Sequence, residues 1–245
     1  MIQCSSITNK GQRTHNEDAI GVFTSKDIKG FIVCDGLGGH GMGEVASSAT
    51  VDLFETAVNS CKTIDETFFE QFFQAAQNKL LNEQKTQNSS NKMKTTVAAL
   101  IIDENHARIG HIGDSRVYVF SQSSTFFRTF DHSVPEALRR AGMIAESDIR
   151  HHPDRNKLLK VLGSAEIDAN GSVSDEYDLK SVQAFLLCTD GFWEHITEEK
   201  ICGLLHSSKS PEEWIGRMTE EVKKNGRKND NMDNYSAIVV WNISE

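Results

Sequence analysis

Short apolar runs separated by polar turns characterise the beginning of the chain. Residues 2–8, 19–24 and 30–34 form such runs, which predicts three strands. The second and third lie in the stretch GVFTSKDIKGFIVCD, whose polar centre and apolar flanks are typical of a β-hairpin. The amino-terminal part is therefore predicted to be mostly β.

Helical spacing follows these strands twice. Apolar residues recur every three or four positions from Gly43 onward and again from Glu66 onward, which predicts two consecutive helices. Residues 82–94 (NEQKTQNSSNKMK) are polar, so we expect an exposed connection there. The recurring apolar positions are Ala46, Ala49, Leu53 and Ala57, then Phe69, Phe72, Phe73, Ala76 and Leu80.

The rest of the chain returns to strand patterns. TTVAALIID, HARIGHIGD, RVYVFSQ and TFFRTF predict four strands in an antiparallel meander. Short helical pieces are predicted at residues 134–141 and 155–162, in a segment with the pattern of an insertion. QAFLLCTD and YSAIVVWNI predict two further strands, with helices between them at residues 198–205 and 211–224.

This element order favours one fold class. Strands grouped with strands, and helices paired in sequence, indicate α+β with antiparallel sheets, whereas a doubly wound parallel sheet requires strict strand–helix alternation. The chain of 245 residues is long enough for one large core, and its three prolines argue against a long disordered linker. We therefore predict a single domain over residues 1–245.

Charge and composition exclude several function classes. The net charge is −9, and basic residues form no block longer than short pairs, which argues against a nucleic-acid partner. No run approaches the roughly 20 apolar residues of a membrane span, and the start MIQCSSITNK lacks a signal-peptide core, so we expect a cytoplasmic protein without a membrane partner. Five widely spaced cysteines without a C-x-x-C pair argue against a disulfide framework and a structural zinc site.

The segment GLGGHG, residues 36–41, matches the dinucleotide-binding pattern G-x-G-x-x-G after a predicted strand and before a predicted helix. An acidic residue about 20 positions further on exists as Glu55, although it lies in a predicted helix. Asp35 argues against a dinucleotide, because its carboxylate would face the pyrophosphate at the helix amino terminus. The same carboxylate suits a cation, so a dinucleotide-dependent oxidoreductase is kept as an alternative.

Aspartates recur where a predicted apolar strand ends or begins. Ends of different strands can converge at one edge of a sheet, and carboxylates gathered there without cations would raise one another's pKa. We therefore expect metal ions, and oxygen ligands without a neighbouring His or Cys cluster select Mg²⁺ or Mn²⁺ over zinc. Two such ions can activate a water for attack on a phosphoryl group. The aspartates in question are Asp35, Asp114, Asp190 and Asp233.

Six motifs follow one another along nearly the whole chain: RTHNED, CDGLGGHG, TTVAALI, GHIGDSRVY, CTDGFWE and DNYSAIVV. In this combination and order the sequence resembles the metal-dependent type 2C family of protein serine/threonine phosphatases, in its compact bacterial form. The resemblance implies a four-layer α/β/β/α sandwich of two antiparallel β-sheets flanked by helices, with the metal centre in a cleft at one end. It also implies a signalling hydrolase that removes phosphate from phosphoserine and phosphothreonine in proteins.

The resemblance assigns metal ligands residue by residue. Asp35 would bridge two Mn²⁺ or Mg²⁺ ions, and these ions would activate the attacking water. The Gly36 carbonyl would bind one ion, whereas Asp190 and Asp233 would bind the other. Asp18 would hold the pair partly through water.

Further positions receive supporting roles from the same resemblance. Glu17 would lie in the outer shell beside Asp18. Asp114 would help to form a weaker third metal site, with Asp190 and Glu194. Arg13 would bind the substrate phosphate, because a guanidinium donates two parallel hydrogen bonds to phosphate oxygens.

Three other features complete the expectation. Residues 131–172 correspond to the family's flap insertion, which would border the cleft and influence substrate choice and turnover. Animal members carry a histidine, proposed as the general acid, where this chain has Leu37, so metal-bound water or His40 would have to serve. Arg116 is interpreted as the structural partner of a buried carboxylate.

The resemblance implies phosphoproteins as substrates, a cognate serine/threonine kinase as the opposing enzyme, and a monomer. A catalytically silent relative that acts as a binding or regulatory module is the second alternative. It is disfavoured because every expected ligand position keeps its carboxylate, whereas a silent copy would be free to lose some of them.

Overall fold

Two antiparallel sheets form the centre of the computed structural model, which describes residues 1–38, 42–65, 67–89, 92–121, 126–165, 170–227 and 232–242. In spatial order, the first sheet contains β1 (Ile2–Asn9), β12 (Tyr235–Asn242), β11 (Val182–Cys188), β7 (Arg116–Ser121) and β8 (Phe126–Arg128). The second contains β10 (Tyr177–Asp178), β6 (His106–Ile112), β5 (Val97–Ile102), β3 (Ile28–Leu37) and β2 (Asp18–Ser25), with β4 (Lys94–Thr95) on β3 and β9 (Ser172–Val173) on β6.

Helices cover the outer faces of both sheets. The second sheet packs against two long helices through a phenylalanine-rich cluster that includes Phe54 and Phe69. The first sheet packs against two carboxy-terminal helices around the fully buried Trp214. The helices are α1 (Met42–Ser60) and α2 (Phe68–Thr86) on the second sheet, α5 (Glu198–Ser207) and α6 (Pro211–Gly226) on the first, and the short α3 (Val134–Arg140) and α4 (Asp190–Trp193) in connections.

A third apolar cluster fills the space between the sheets. Phe31 and Leu100 project into it from the second sheet, and Phe185, Leu187 and Ile238 from the first. Burying a side chain of this size stabilises the fold by about 1.5–3 kcal/mol. The predicted four-layer sandwich is confirmed.

The predicted meander over residues 95–130 is wrong at its middle connection. β5 pairs with β6 and β7 pairs with β8, but β6 and β7 lie in different sheets. The chain crosses between the sheets at Gly113 and Asp114, where Gly113 has a φ of 99°. Strands buried on both faces lack the polar alternation that would have indicated the change of sheet. The crossing places Asp114 beside both sheets.

Two predicted segments also differ from the structure. No helix forms over residues 155–162; this stretch makes a turn and then isolated bridges from Leu158 to Ser133 and from Leu162 to Thr95. The exposed connection predicted from residue 82 begins later, because α2 continues to Thr86 and buries Gln84, whose Nε2 donates to the carbonyls of Met93 and Gly163. Hydrogen bonding lets a polar side chain occupy a core position.

No helix within the described ranges is both long enough and apolar enough to cross a membrane.

Candidate active site

A cleft of about 740 Å³ opens where several strands of both sheets end. Most of the residues that the sequence analysis assigned to the site line it, although they come from both halves of the chain. Two assigned residues are not part of this lining: Asp18, which is buried, and Glu194, which directly follows α4. The assigned residues that line the cleft are Arg13, Glu17, Asp35, Gly36, Asp114, Asp190 and Asp233.

Asp18 and Asp35 are direct cross-strand partners. Asp18 begins β2 and Asp35 lies near the end of β3, and the antiparallel register places their Cα atoms opposite each other. Like charges in this position destabilise a sheet. Oδ2 of Asp18 accepts a hydrogen bond from Thr189 Oγ1 at 3.0 Å, whereas its buried Oδ1 has no hydrogen-bond partner among the described residues. One carboxylate oxygen of Asp18 therefore has no hydrogen bond that would offset the repulsion between Asp18 and Asp35.

The clustered carboxylates shift one another's titration. Burial, with Asp190 and Asp233 nearby, raises the pKa of Asp18 to about 7. Burial, with Glu194 and Asp233 nearby, raises the pKa of Asp190 to about 7. Burial and then the neighbouring carboxylates also raise the pKa of Asp35 and of Asp114 well above the ordinary value. Such a group of acids is poised for a cation, which would compensate the charges that the protein itself leaves unpaired.

Without divalent ions, the protein is expected to lose stability as the pH rises from about 4 to about 7. In this window Asp18 and Asp190, which have a pKa of about 7 in the fold, bind more protons in the folded state than in the unfolded chain, and His132, whose pKa burial lowers to about 3, offsets part of this difference. The stabilising contribution of the two aspartates is complete below the unfolded pKa and is lost as the pH passes the folded pKa. Urea unfolding in EDTA across this range measures the slope.

The matched variant for this measurement is Asp18→Asn. In this variant residue 18 no longer titrates, so the free energy of unfolding should fall less steeply with pH than in wild type. An unchanged slope would contradict the shifted pKa of Asp18.

Two adjacent threonines hold the backbone of Asp35. Thr96 Oγ1 accepts from the Asp35 N–H at 2.9 Å, and Thr95 Oγ1 donates to the Asp35 carbonyl at 2.9 Å. Thr96 Oγ1 also shares a hydrogen bond of 2.7 Å with Ser115 Oγ, next to Asp114. No role was predicted for the two threonines of the TTVAALI motif, although a pair of hydroxyl residues before an otherwise apolar strand was a signal in the sequence.

The glycine turn after Asp35 is required by close packing. A Cβ on Gly36 would lie 2.2 Å from the Gly43 carbonyl oxygen and 2.5 Å from that of Glu17. β3 lies between β2 and β5, both antiparallel to it, so the glycines do not follow a strand of a parallel βαβ unit. The dinucleotide interpretation is therefore wrong. Gly39, His40 and Gly41 lie outside the described residues.

Asp190 and Asp233 approach the cleft from the ends of neighbouring strands. Asp190 follows β11 as the first residue of α4, and Asp233 shortly precedes β12. Asp233 Oδ2 accepts from Arg13 at 2.8 Å, and both side chains are about half exposed. In the parts of the chain that the structure describes, no three His, Cys, Asp or Glu side chains surround one point closely enough to hold an ion by themselves. In this arrangement the charge of Asp233 is compensated by its ion pair with Arg13.

Asp114 is positioned through its backbone. The indole Nε1 of Trp193 donates to the Asp114 carbonyl at 3.0 Å, and the Arg116 guanidinium stacks 3.4 Å from the centre of the same indole ring. Oδ1 of Asp114 is buried without a hydrogen-bond partner among the described residues. Trp193 was not singled out from the sequence, although its place within CTDGFWE, three residues after Asp190, was the signal.

Glu194 and the segment at residues 131–172 meet at the side of the cleft. Arg155 of that segment lies 3.1 Å from Glu194 Oε1, and Asn156 and Leu158 line the cleft. Burial raises the pKa of Glu194, and Arg155 opposes this effect. Two residues of this segment therefore form part of the wall of the cleft.

Asn234 organises the loop that carries Arg13 and Glu17. Its Oδ1 accepts from the Glu17 N–H at 2.8 Å, and its Nδ2 donates to the carbonyls of Lys10 and His15, each at 2.9 Å. Sequence reasoning missed this role, because the partners lie more than 200 positions away. His15, which also lines the cleft, was missed as well.

The residues fit hard divalent ions. Their donors are carboxylate and carbonyl oxygens, two buried carboxylate oxygens lack partners, and Gly36 leaves no room for a side chain beside its carbonyl. Mg²⁺ and Mn²⁺ prefer such oxygen ligands and usually keep several waters.

Comparisons with known proteins agree over almost the full length. The family profile described as "Protein phosphatase 2C" matches residues 8–233. The "Serine/threonine phosphatase stp" of Listeria welshimeri is 33% identical over 242 residues, which cover 95% of this chain and 93% of that protein. The structure of serine/threonine phosphatase Stp1 from Staphylococcus aureus has a TM-score of 0.87 at 26% identity and covers 100% of this chain and 96% of that one.

A more distant solved structure shares the fold. It is the catalytic domain of the serine threonine protein phosphatase PstP in complex with 2 manganese ions, with a TM-score of 0.83 at 20% identity over 99% of both chains.

Proposed function

The chain belongs to the protein phosphatase 2C family and is a serine/threonine phosphatase, and we propose that it hydrolyses phosphoserine and phosphothreonine in proteins at a centre of two Mg²⁺ or Mn²⁺ ions. The observation that carries the metal assignment is the direct opposition of Asp18 and Asp35, with a buried, unpartnered oxygen on Asp18. A structure that placed these carboxylates together without a cation would be destabilised by their repulsion.

Each part of the site has a distinct task in this proposal. Asp35, the Gly36 carbonyl, Asp190 and Asp233 would hold the two ions. Asp18 and Glu17 would support the pair from behind these ligands, and Asp114 would hold a weaker third ion together with Asp190 and Glu194. When bound, the ions neutralise phosphoryl charge and lower the pKa of water toward neutrality.

Arg13 binds the substrate phosphate. Its guanidinium lies at the rim of the cleft, 2.8 Å from Asp233 Oδ2 and 44% exposed, so it has donors available to an incoming anion. The pairing with Asp233 also keeps it directed toward the carboxylates, where the scissile group must lie. Leu37, at the position of the animal general acid, has no ionisable group and cannot donate a proton to the leaving group. His15 is the histidine that lines the cleft in the described part of the chain.

Arg13→Ala is expected to raise the KM for p-nitrophenyl phosphate by about tenfold and to lower kcat less, since it removes charge-assisted hydrogen bonds to the phosphate. Arg13→Lys should recover part of the loss, because it restores the charge without the planar fork. Steady-state kinetics in saturating Mn²⁺ measure both. Arg217→Ala, on the outer helix α6, serves as a control; an equal rise in KM for that variant would contradict a local role.

The test of the proposed function is phosphate release from phosphoserine and phosphothreonine peptides, with a phosphotyrosine peptide as comparator. Mn²⁺ should support turnover, EDTA should abolish it, and returning Mn²⁺ should restore it. A well-folded preparation that stays inactive in Mn²⁺ while a related phosphatase turns over would contradict the proposal and favour a silent binding relative.

The proposal extends to the whole chain. Residues 1–245 form one phosphatase domain that acts as a monomer in the cytoplasm, with residues 131–172 as a flap beside the cleft. Its physiological counterpart is a serine/threonine kinase that phosphorylates the same proteins. The contact of Arg155 with Glu194 supports the flap assignment, because it ties this segment to the end of α4.

A further inference from the structure

A second pocket of about 190 Å³ shares a wall residue, His132, with the backbone that leads into the phosphatase cleft. His132 lines this pocket and makes two hydrogen bonds to the backbone of Gly113. Its Nδ1 accepts from the Gly113 N–H at 3.2 Å, and its backbone N–H donates to the Gly113 carbonyl at 2.8 Å. Gly113 directly precedes Asp114, which lines the cleft. The pocket is smaller than the roughly 300 Å³ at which small-molecule sites begin, so it suits a single side chain of a larger partner.

Half-exposed aromatic rings form one side of this pocket. Phe127 and Phe130 are 42% and 43% exposed, and their rings meet edge to face with centroids 5.8 Å apart. Neighbouring Phe126 is 44% exposed. Aromatic side chains clustered at the surface are a common feature of protein-binding sites.

Uncompensated positive charge lies at the pocket. The Arg140 guanidinium lines it, 5.8 Å from the centre of the Phe130 ring. Arg139 and Arg128 also lie near this ring, but both are paired with Glu136 and Glu146. No carboxylate of the described residues is within ion-pair distance of Arg140.

The remaining ionisable groups do not cancel this charge. Asp131 also lines the pocket, but its carboxylate accepts two hydrogen bonds from buried Arg116, at 2.8 and 2.7 Å. Burial, the stacked His111 ring and Lys160 lower the pKa of His132 to about 3, so its ring is neutral. Lys160, which has no carboxylate of the described residues within ion-pair distance, adds a second cation nearby. In a protein of net charge −9, this corner is locally positive.

We propose that this pocket docks an acidic segment of the phosphoprotein substrate, with a carboxylate on Arg140 and an apolar side chain packed against the exposed faces of Phe127 and Phe130. The proposal rests on the phosphatase function given above. A peptide that crosses the wall formed by His132 and Gly113 reaches both the pocket and the cleft, so docking raises the local concentration of the phosphorylated residue at the carboxylates. Substrate choice then depends on residues outside the phosphorylated position.

The test compares two phosphothreonine peptides of equal length. The acidic peptide carries Glu and Phe residues beside the phosphorylated position, and the control peptide carries Lys and Ser at the same places. This pair is made in two versions, with these residues on the amino side or on the carboxyl side of the phosphothreonine. Wild type should prefer the acidic peptide by about tenfold in kcat/KM, and Arg140→Glu or Phe127→Ser should reduce this preference to about twofold or less. Lys209→Glu, an equal charge change between α5 and α6, should keep it, and p-nitrophenyl phosphate should be hydrolysed equally by all four proteins.

A preference that is absent in wild type with both versions, or that survives unchanged in Arg140→Glu, would overturn the docking site while leaving the phosphatase assignment intact. Wild type that does not hydrolyse p-nitrophenyl phosphate in Mn²⁺ would instead overturn the proposed function. In that case, fluorescence anisotropy with the unphosphorylated acidic peptides decides the docking question. Binding that weakens by about fivefold in Arg140→Glu supports the site, and equal or absent binding contradicts it.

Discussion

Asp35→Asn is expected to lower kcat/KM for p-nitrophenyl phosphate on the order of a thousandfold, because it removes the carboxylate that we propose as a ligand of both metal ions. The fold should survive, since Asn has almost the same shape and the Asp35 backbone is held by Thr95 and Thr96. Kinetics in saturating Mn²⁺ measure the loss of activity, and circular dichroism verifies the fold.

The same variant makes a prediction of opposite sign for stability. In EDTA, Asp35→Asn should be about 1–2 kcal/mol more stable than wild type, because the side chain opposite Asp18 no longer carries an acid with a strongly raised pKa. Mn²⁺ should stabilise wild type and have little effect on the variant. A variant that is less stable than wild type in EDTA would contradict the electrostatic account of the cluster.

Asp131→Ala is expected to destabilise the protein by about 3–5 kcal/mol, since it leaves Arg116 buried without its main partner. Both side chains are almost fully buried, with 2% and 1% exposed, and they share two hydrogen bonds. The interpretation of Arg116 as the partner of a buried carboxylate is thereby confirmed. Urea unfolding measures the loss in the free energy of unfolding.

Two controls accompany this prediction. The exposed pair of Lys79 and Glu83 has a similar contact distance of 2.9 Å, yet Glu83→Ala should cost about 0.5 kcal/mol or less because solvent screens it. The double variant Arg116→Met with Asp131→Leu should recover much of the loss by replacing the pair with apolar packing. Equal costs for the buried and exposed single variants would show that burial does not strengthen this pair.

The sequence pattern was informative wherever apolar periodicity alone determines the element. The hairpin of β2 and β3 and the long helices α1 and α6 follow from it, whereas the four-layer arrangement was implied by the family resemblance. Apolar periodicity did not reveal the crossing between β6 and β7, because the end of β6 and the start of β7 are buried on both faces and their side chains do not show which sheet they join. The burial of Gln84 was not predicted for a related reason, because the sequence does not distinguish a buried glutamine that is fully hydrogen-bonded from an exposed one.

Four aspartates at predicted strand ends were singled out from the sequence, and all four line the cleft, but the contacts that hold the site together could not be predicted. Aspartates at the ends of apolar strands can be recognised from their residue type and their position in the sequence. The contacts that hold them depend on register: Thr189 meets Asp18 across 171 positions, Asn234 meets Glu17 across 217, and Trp193 meets the Asp114 carbonyl across 79. Threonine, asparagine and tryptophan occur in many structural settings, so their roles emerged only from the fold.

Crystals grown in Mn²⁺ give the most direct measurement, because anomalous scattering locates manganese independently of any assumed ligand. The account predicts two peaks about 3.5–4 Å apart, with the Asp35 carboxylate between them and Asp190 and Asp233 beside one of them. A fully loaded crystal with no peak within bonding distance of Asp35 would contradict it.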